Sequence, residues 1–178
     1  MTLIWEKVVV SAKEFLTSKN INDAPQINEP IQQAKLRNFN WELSFSASSL
    51  FAEVVWKIAI GRDSLSEWQE LDRMFSPSPI ATHANFRGNK TYKTGNIPEL
   101  GALVFWKRGN SWQGHMAIVT GVSDDKQSFD VIEGRALTGS EDKFINVQES
   151  KGKRMGLPFC NDKLNILGFV YPKNQEIR

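Results

Sequence analysis

The chain has 178 residues, of which 40% are hydrophobic and 11% aromatic, enough for one globular domain to bury a core without disulfide or metal staples. Its 22 lysines and arginines are scattered and nearly balanced by 20 acids, so charge makes no case for nucleic acid or a membrane surface as partner. The single cysteine, Cys160, has no internal partner. No CxxC or His/Cys cluster has metal-ligand spacing, so no metal and no other cofactor is expected.

The opening MTLIWEKVVVSAKEFL has Glu6 and Lys7 among its apolar residues and no small-residue cleavage site after it, which does not read as a signal peptide. No apolar run approaches the roughly 20 residues that cross a bilayer, so no membrane insertion is expected. Synthesis in the cytoplasm is the expectation. Ile4, Val8, Ala12 and Phe15 recur at helical spacing and predict an amphipathic helix. Residues 19–40 turn polar, with Pro25 and Pro30, and read as a long loop with a short helix near Ile31 to Leu36.

From Ser48 to Ile60 the run SSLFAEVVWKIAI is largely apolar and closes on Gly61. It predicts a central buried helix with serines capping its first turn. Ser64 with Glu67 resembles a capping box that opens a helix over SEWQELDRMF, ending before Pro77. SPSPIATHANF follows with two prolines and should begin as a turn. After Gly95, Ala102–Trp106, Met116–Val122, Phe129–Ile132, Phe144–Val147 and Leu167–Tyr171 are short apolar or alternating runs parted by Gly, Asn and Asp, the pattern of antiparallel strands. Helices first and strands second predict an α+β fold. No internal repeat or linker divides the chain, so one domain over 1–178 is expected.

Hydrolysis of an amide needs a nucleophile, a base to take its proton, a group that orients the base and donors for the oxyanion. Histidine suits the base because it titrates near neutrality, and the chain has two. His83 lies in the Pro-flanked segment and reads as a loop or surface histidine. His115 follows Gly114 and opens the apolar run MAIVTGV, while GALVFWKRGN before it reads as the partner strand of a hairpin. On spacing alone, a working histidine at a strand edge and an idle one weigh equally.

The run GALVFWKR, a short loop, GHMAIVTGV and later FDVIEGR resembles the core of CHAP-type (cysteine, histidine-dependent amidohydrolase/peptidase) peptidoglycan hydrolases. That family has a papain-like fold, with N-terminal helices packed on a C-terminal antiparallel sheet. The resemblance covers residues 41–171, with 1–40 as an N-terminal helix and loop. The family's nucleophile opens a helix in a pattern like W-C-[AS]-x-F-V-x-W, and SASSLFAEVVWKIA stands at that place. Aligning Phe51, Ala52 and Trp56 puts Ser48 on the cysteine, with Ser46 and Ser49 as rival positions.

The resemblance implies His115 as base, Glu133 as its orienting partner, and backbone N–H groups at the start of the Ser48 helix as oxyanion donors. Ser49, Trp106, Trp112, Gln113 and Arg135 are the residues placed at a possible substrate groove, where Lys107 and Arg108 would attract stem-peptide carboxylates. The implied partner is peptidoglycan or its stem peptides, cut as an N-acetylmuramoyl-L-alanine amidase or an endopeptidase by a monomer. The wall would be reached after lysis, injection or non-classical export.

Two departures bear on activity. A thiol, of pKa about 8.5, can be lowered to a standing thiolate, whereas a serine hydroxyl needs concerted base catalysis, so Ser48, natural or introduced, predicts little or no turnover. Arg135 stands where the family often has Asn, and is expected to pair with Glu133 and compete for it. The other reading of these departures is a catalytically silent module that binds wall fragments or serves as an interaction domain. Ser48 as the nucleophile of a true serine hydrolase is the weakest reading, since no G-x-S-x-G elbow is present.

Overall fold

The computed structural model describes residues 3–18, 43–136, 145–157 and 164–173. Helix α1 is Ile4–Ser18 and α2 is Leu43–Trp56, which runs on as a π-helical turn Lys57–Gly61. Then come α3, Leu65–Met74, and α4, Pro79–Gly88. The strands are β1 Thr94–Gly95, β2 Leu103–Arg108, β3 Gly114–Val122, β4 Ser128–Ala136, β5 Ile145–Arg154 and β6 Leu164–Val170. They form one antiparallel sheet in the order β1-β6-β2-β3-β4-β5. This is the expected α+β arrangement, with helices preceding a sheet. The expected helix near Ile31 to Leu36 lies outside the described residues, as does Cys160.

Strand side chains alternate between two sides of the sheet, and here both sides are buried. Leu103, Phe105, Met116, Ile118, Ile132, Val147 and Val170 pack with the helices around Leu50, Phe51, Val54, Val55 and Trp56. Val104, Trp106, Ala117, Val119, Phe129, Val131 and Phe169 form a second cluster on the other side. The uninterrupted apolar run of β2 follows, since each successive residue feeds a different core. Trp56 anchors the helical side, its ring 5.6 Å from that of Phe86, 5.8 Å from Tyr92 and 6.3 Å from Phe75. It thereby joins α2 to the end of α3, to α4 and to the segment leading into the sheet.

Two expectations about the helices are corrected. The central helix does not open at Ser48 but at Leu43. Leu43, Ala47, Leu50 and Val54 continue the apolar stripe upstream at i, i+4, i+7 spacing, so the helix extends one turn and more beyond the serines. SPSPIATHANF bends only as far as Ser78 and then becomes α4. Ser78 caps it by accepting from the Ala81 N–H at 3.3 Å, and Pro79 fits the first helical position because its missing N–H is not needed there. Half of the capping box read at Ser64 forms: its hydroxyl accepts from the Glu67 N–H at 3.4 Å, while the Ser64 N–H donates to the Gly61 carbonyl at 3.1 Å and not to the Glu67 side chain.

His83 therefore lies on a helix and is buried, not at the surface. Its ring sits 5.0 Å from that of Phe105. A Cβ at Gly168 would stand 3.0 Å from its Nε2, at a φ of +154° that itself favours glycine. Burial, helped by the charge of Arg87, lowers its pKa from 6.5 to about 4. The unfolded chain thus takes up the proton first as pH falls, and stability is lost between pH 6.5 and 4. His83→Phe should abolish that part of the pH dependence, about 3 kcal/mol at most, in urea titrations from pH 7 to 4.

Lys57 is a second charge in the interior, 1% exposed, with its Nζ 2.8 Å from Glu53 Oε1 and paired also with Asp72 of α3. The ammonium lies 4.9 Å from the centre of the Trp68 ring, a favourable position for a cation. Removing one partner of a buried pair strands the other. Lys57→Ala is expected to cost about 3–5 kcal/mol, read as a lower urea midpoint with an unchanged slope.

Candidate active site

The site begins where two strands part. The β3–β4 register runs from Val122↔Phe129 to Ile118↔Ile132. Beyond it β3 continues back to Gly114 paired with β2, while β4 continues to Ala136 paired with β5. His115 and Glu133 lie just past this fork, one on each strand, and their side chains close it. His115 Nε2 is hydrogen-bonded to Glu133 Oε2. An ionised carboxylate only accepts, so Nε2 carries the hydrogen and the lone pair of the neutral ring lies on Nδ1.

The Glu133 side chain has no solvent exposure. Its other oxygen, Oε1, accepts from Ser150 Oγ at 2.8 Å, Gln148 Nε2 at 3.1 Å and Arg135 Nη2 at 3.3 Å. Burial pushes the carboxyl upward, but the hydrogen bond and charge of His115, with the bonds from Gln148 and Ser150, outweigh it and hold the pKa at about 2. Glu133 is thus an anion across the whole neutral range. Arg135 does pair with Glu133, as the sequence suggested, but on Oε1, which leaves Oε2 to His115.

His115 is set by its hairpin. It stands directly across from Trp106, with ring centroids 5.8 Å apart and planes inclined by 36°. Trp106 is 1% exposed: it forms the floor beneath the imidazole and not the wall of a groove, because its strand position points it into the second core cluster. Gly114 permits a close approach. A Cβ there would lie 2.8 Å from the Trp106 carbonyl oxygen and 3.1 Å from Ile80 Cγ1. Trp112 and Gln113 are in the hairpin loop. The indole of Trp112 is among the exposed large apolar side chains, and Gln113 Oε1 accepts from Arg108 Nη1 at 3.2 Å.

The serines meet this region from the helical side. Ser48 and Ser49 are buried, and Ser49 Oγ donates to the Pro77 carbonyl at 3.1 Å, which takes it out of any groove. Pro79 and Ile80 in turn flank Gly114. The corner 77–80 is therefore the common neighbour of the serine turn of α2 and of the residue before His115. The four donors to Glu133 come from β3, β4 and β5, and none from α2. By strand alternation His115 shares its side of the sheet with Ala117 and Val119, whereas Met116 and Ile118 face the helices. The side chain of Ser46 lies outside the described residues.

The oxyanion expectation is corrected by the position of Ser48 within α2. Only the first four N–H groups of an α-helix, counted from the N-cap residue, lack an internal partner, and among the described residues of α2 those belong to 43–45. The Ser48 N–H is inside the ladder, and the dipole's effect fades within the first turn.

Gln148 and Ser150 were not anticipated. The predicted strand stops at Val147, whereas β5 runs on to Arg154 through a polar stretch, QESKGKR, that carries no apolar signal. The available clue was that residues two apart on a strand beside Glu133 share its side of the sheet.

Residues 51–135 match the family model of the CHAP domain. Over that segment the chain carries a CHAP domain. The matched segment holds His115, Glu133 and Arg135 and begins three residues after Ser48, so the serine itself lies just outside it. No curated protein and no solved structure is found to match. A CHAP domain supports an amidohydrolase or peptidase role of the kind that acts on peptidoglycan.

The acid limb of stability follows from the carboxylate. The folded-state pKa of Glu133 lies below its ordinary 4.5, so the unfolded chain binds its proton first and stability is lost as pH falls from about 4.5 to about 2. Glu133→Gln should flatten this limb, which accounts for about 3 kcal/mol, in denaturation midpoints measured at pH 5, 4 and 3.

Proposed function

We propose that this CHAP domain is built to cleave an amide bond of peptidoglycan, either between the lactyl group of the sugar and the stem peptide or within the peptide. The observation that carries the reading is the His115–Glu133 pair, whose carboxylate is buried, ionised and four times hydrogen-bonded. In this mechanism Nδ1 of His115 takes the proton of the nucleophile at position 48 as it attacks the carbonyl carbon. Glu133 fixes the tautomer and supports the imidazolium. His115 then gives the proton to the departing amine, leaving an acyl-enzyme that water hydrolyses with the same histidine as base. The exposed Trp112 offers a ring for stacking on glycan or peptide.

With serine at 48 the rate is expected to be low, because the hydroxyl has no ionised resting form and lies beyond the unpaired N–H groups of α2. That placement favours a second reading, a silent module that binds wall fragments without cutting them.

One comparison separates the two. Purified sacculi incubated with a Ser48→Cys form are expected to release soluble fragments, with the chain as it stands and a Ser48→Cys/His115→Ala control both near background. Release no greater than the control's sinks the enzyme reading, and retained pull-down on sacculi without release by either form supports the silent one.

A further inference from the structure

We propose that Gln148 and Ser150 of β5 are positioning residues for His115, clamping one oxygen of Glu133 so that the other is held for the imidazole alone. The inference rests on the reading of His115 as the base, and it adds two residues, from a strand outside the matched segment, to the machinery of that site.

The geometry divides the labour between the carboxylate oxygens. Oε1 receives Ser150 Oγ at 2.8 Å, Gln148 Nε2 at 3.1 Å and Arg135 Nη2 at 3.3 Å, while Oε2 receives His115 Nε2. A carboxylate otherwise turns easily about its last torsion, a broad two-fold well. Turning here would disrupt the hydrogen bonds at both oxygens of a side chain that has no solvent exposure, where each unmet polar group is costly. Oε2 therefore stays directed at β3, and the imidazole with it.

The clamp is also built into the strand register. Gln148 is paired directly with Glu133, and Ser150 with Val131 two residues away on the same side of the sheet. Both donors are placed by backbone pairing and not by long side chains searching for a partner. Arg135 differs: its side chain is 41% exposed, so its contribution is screened more strongly than theirs.

The test needs no turnover. In the chain as it stands, the Nε2–H proton of His115 should give a far-downfield, slowly exchanging nitrogen-bound proton resonance that Glu133→Gln moves strongly upfield. Ser150→Ala and Gln148→Met should each shift that line and speed its exchange with water several-fold. Ser150→Thr, which keeps the hydroxyl, should leave it near its original place. In the Ser48→Cys background the two disabling changes should lower kcat roughly tenfold, the size of one hydrogen bond to a charged group, with KM little altered.

An unmoved line in folded Ser150→Ala and Gln148→Met would overturn the clamp. If Ser150→Ala fails to fold, Ser150→Cys, a weaker donor of similar size, decides by the same line. A clamp seen in the spectrum of a protein that leaves sacculi intact in every form keeps this inference and discards the hydrolase. Release of fragments with an unmoved line does the reverse.

Discussion

A carboxylate sealed from solvent is the constraint around which the sheet is arranged. Removing such a charge from water costs several kcal/mol even after relaxation, and only convergent donors offset it. Glu133 draws its donors from three neighbouring strands: His115 of β3, Arg135 of β4, Gln148 and Ser150 of β5. The order β3-β4-β5 and the register Glu133↔Gln148 are thus conditions for the charge to exist where it does. The parting of β3 and β4 beyond Ile118↔Ile132 is the complement of this. Where the backbone ladder ends, two side chains bridge the strands, and one of them is the imidazole.

The helices serve the opposite side of the sheet. From Ala47 to Trp56 α2 is buried on every side, among α1, the sheet and the aromatic cluster around Trp56, and the pair Glu53–Lys57 meets α3 through Asp72. Its serines enter the site region through the 77–80 corner, which Ser49 ties to α2 and Gly114 lets approach β3. That corner touches both α2, through Ser49, and β3, through Gly114.

Sequence patterning revealed the strands whose faces are buried and the helices with capping signals, because burial and caps both leave residue-level marks. It recovered β2, β3, β4 and β6 from apolar runs, and α3 from Ser64 and Glu67. It truncated β5, whose second half carries only polar residues, and passed over the two-residue β1. The burial of His83 was hidden since nothing local distinguishes a histidine facing Phe105 from one facing water. The start of α2 was set too late because serine is equally at home as a cap and, as at Ser48 and Ser49, inside a buried helix. Of the site, His115 and Glu133 were readable as motif residues. Gln148 and Ser150 were not, since their role depends on cross-strand register and β4–β5 pairing cannot be counted from sequence.

The serine and the dyad pull in different directions. An apolar replacement of similar volume for a buried charged group is often neutral or even stabilising, so stability alone gives little reason to surround Glu133 with four donors. Orientation of a base does. A histidine whose Nε2 is tied to a fixed anion presents its Nδ1 lone pair along one direction, and that benefits proton transfer to or from whatever occupies the cleft. On the hydrolase reading, a change at position 48 removes the attacking atom and leaves the donors to Glu133 in place. Those donors come from β3, β4 and β5 and none from α2, so the hydrogen bonds of Glu133 do not require a particular side chain at position 48.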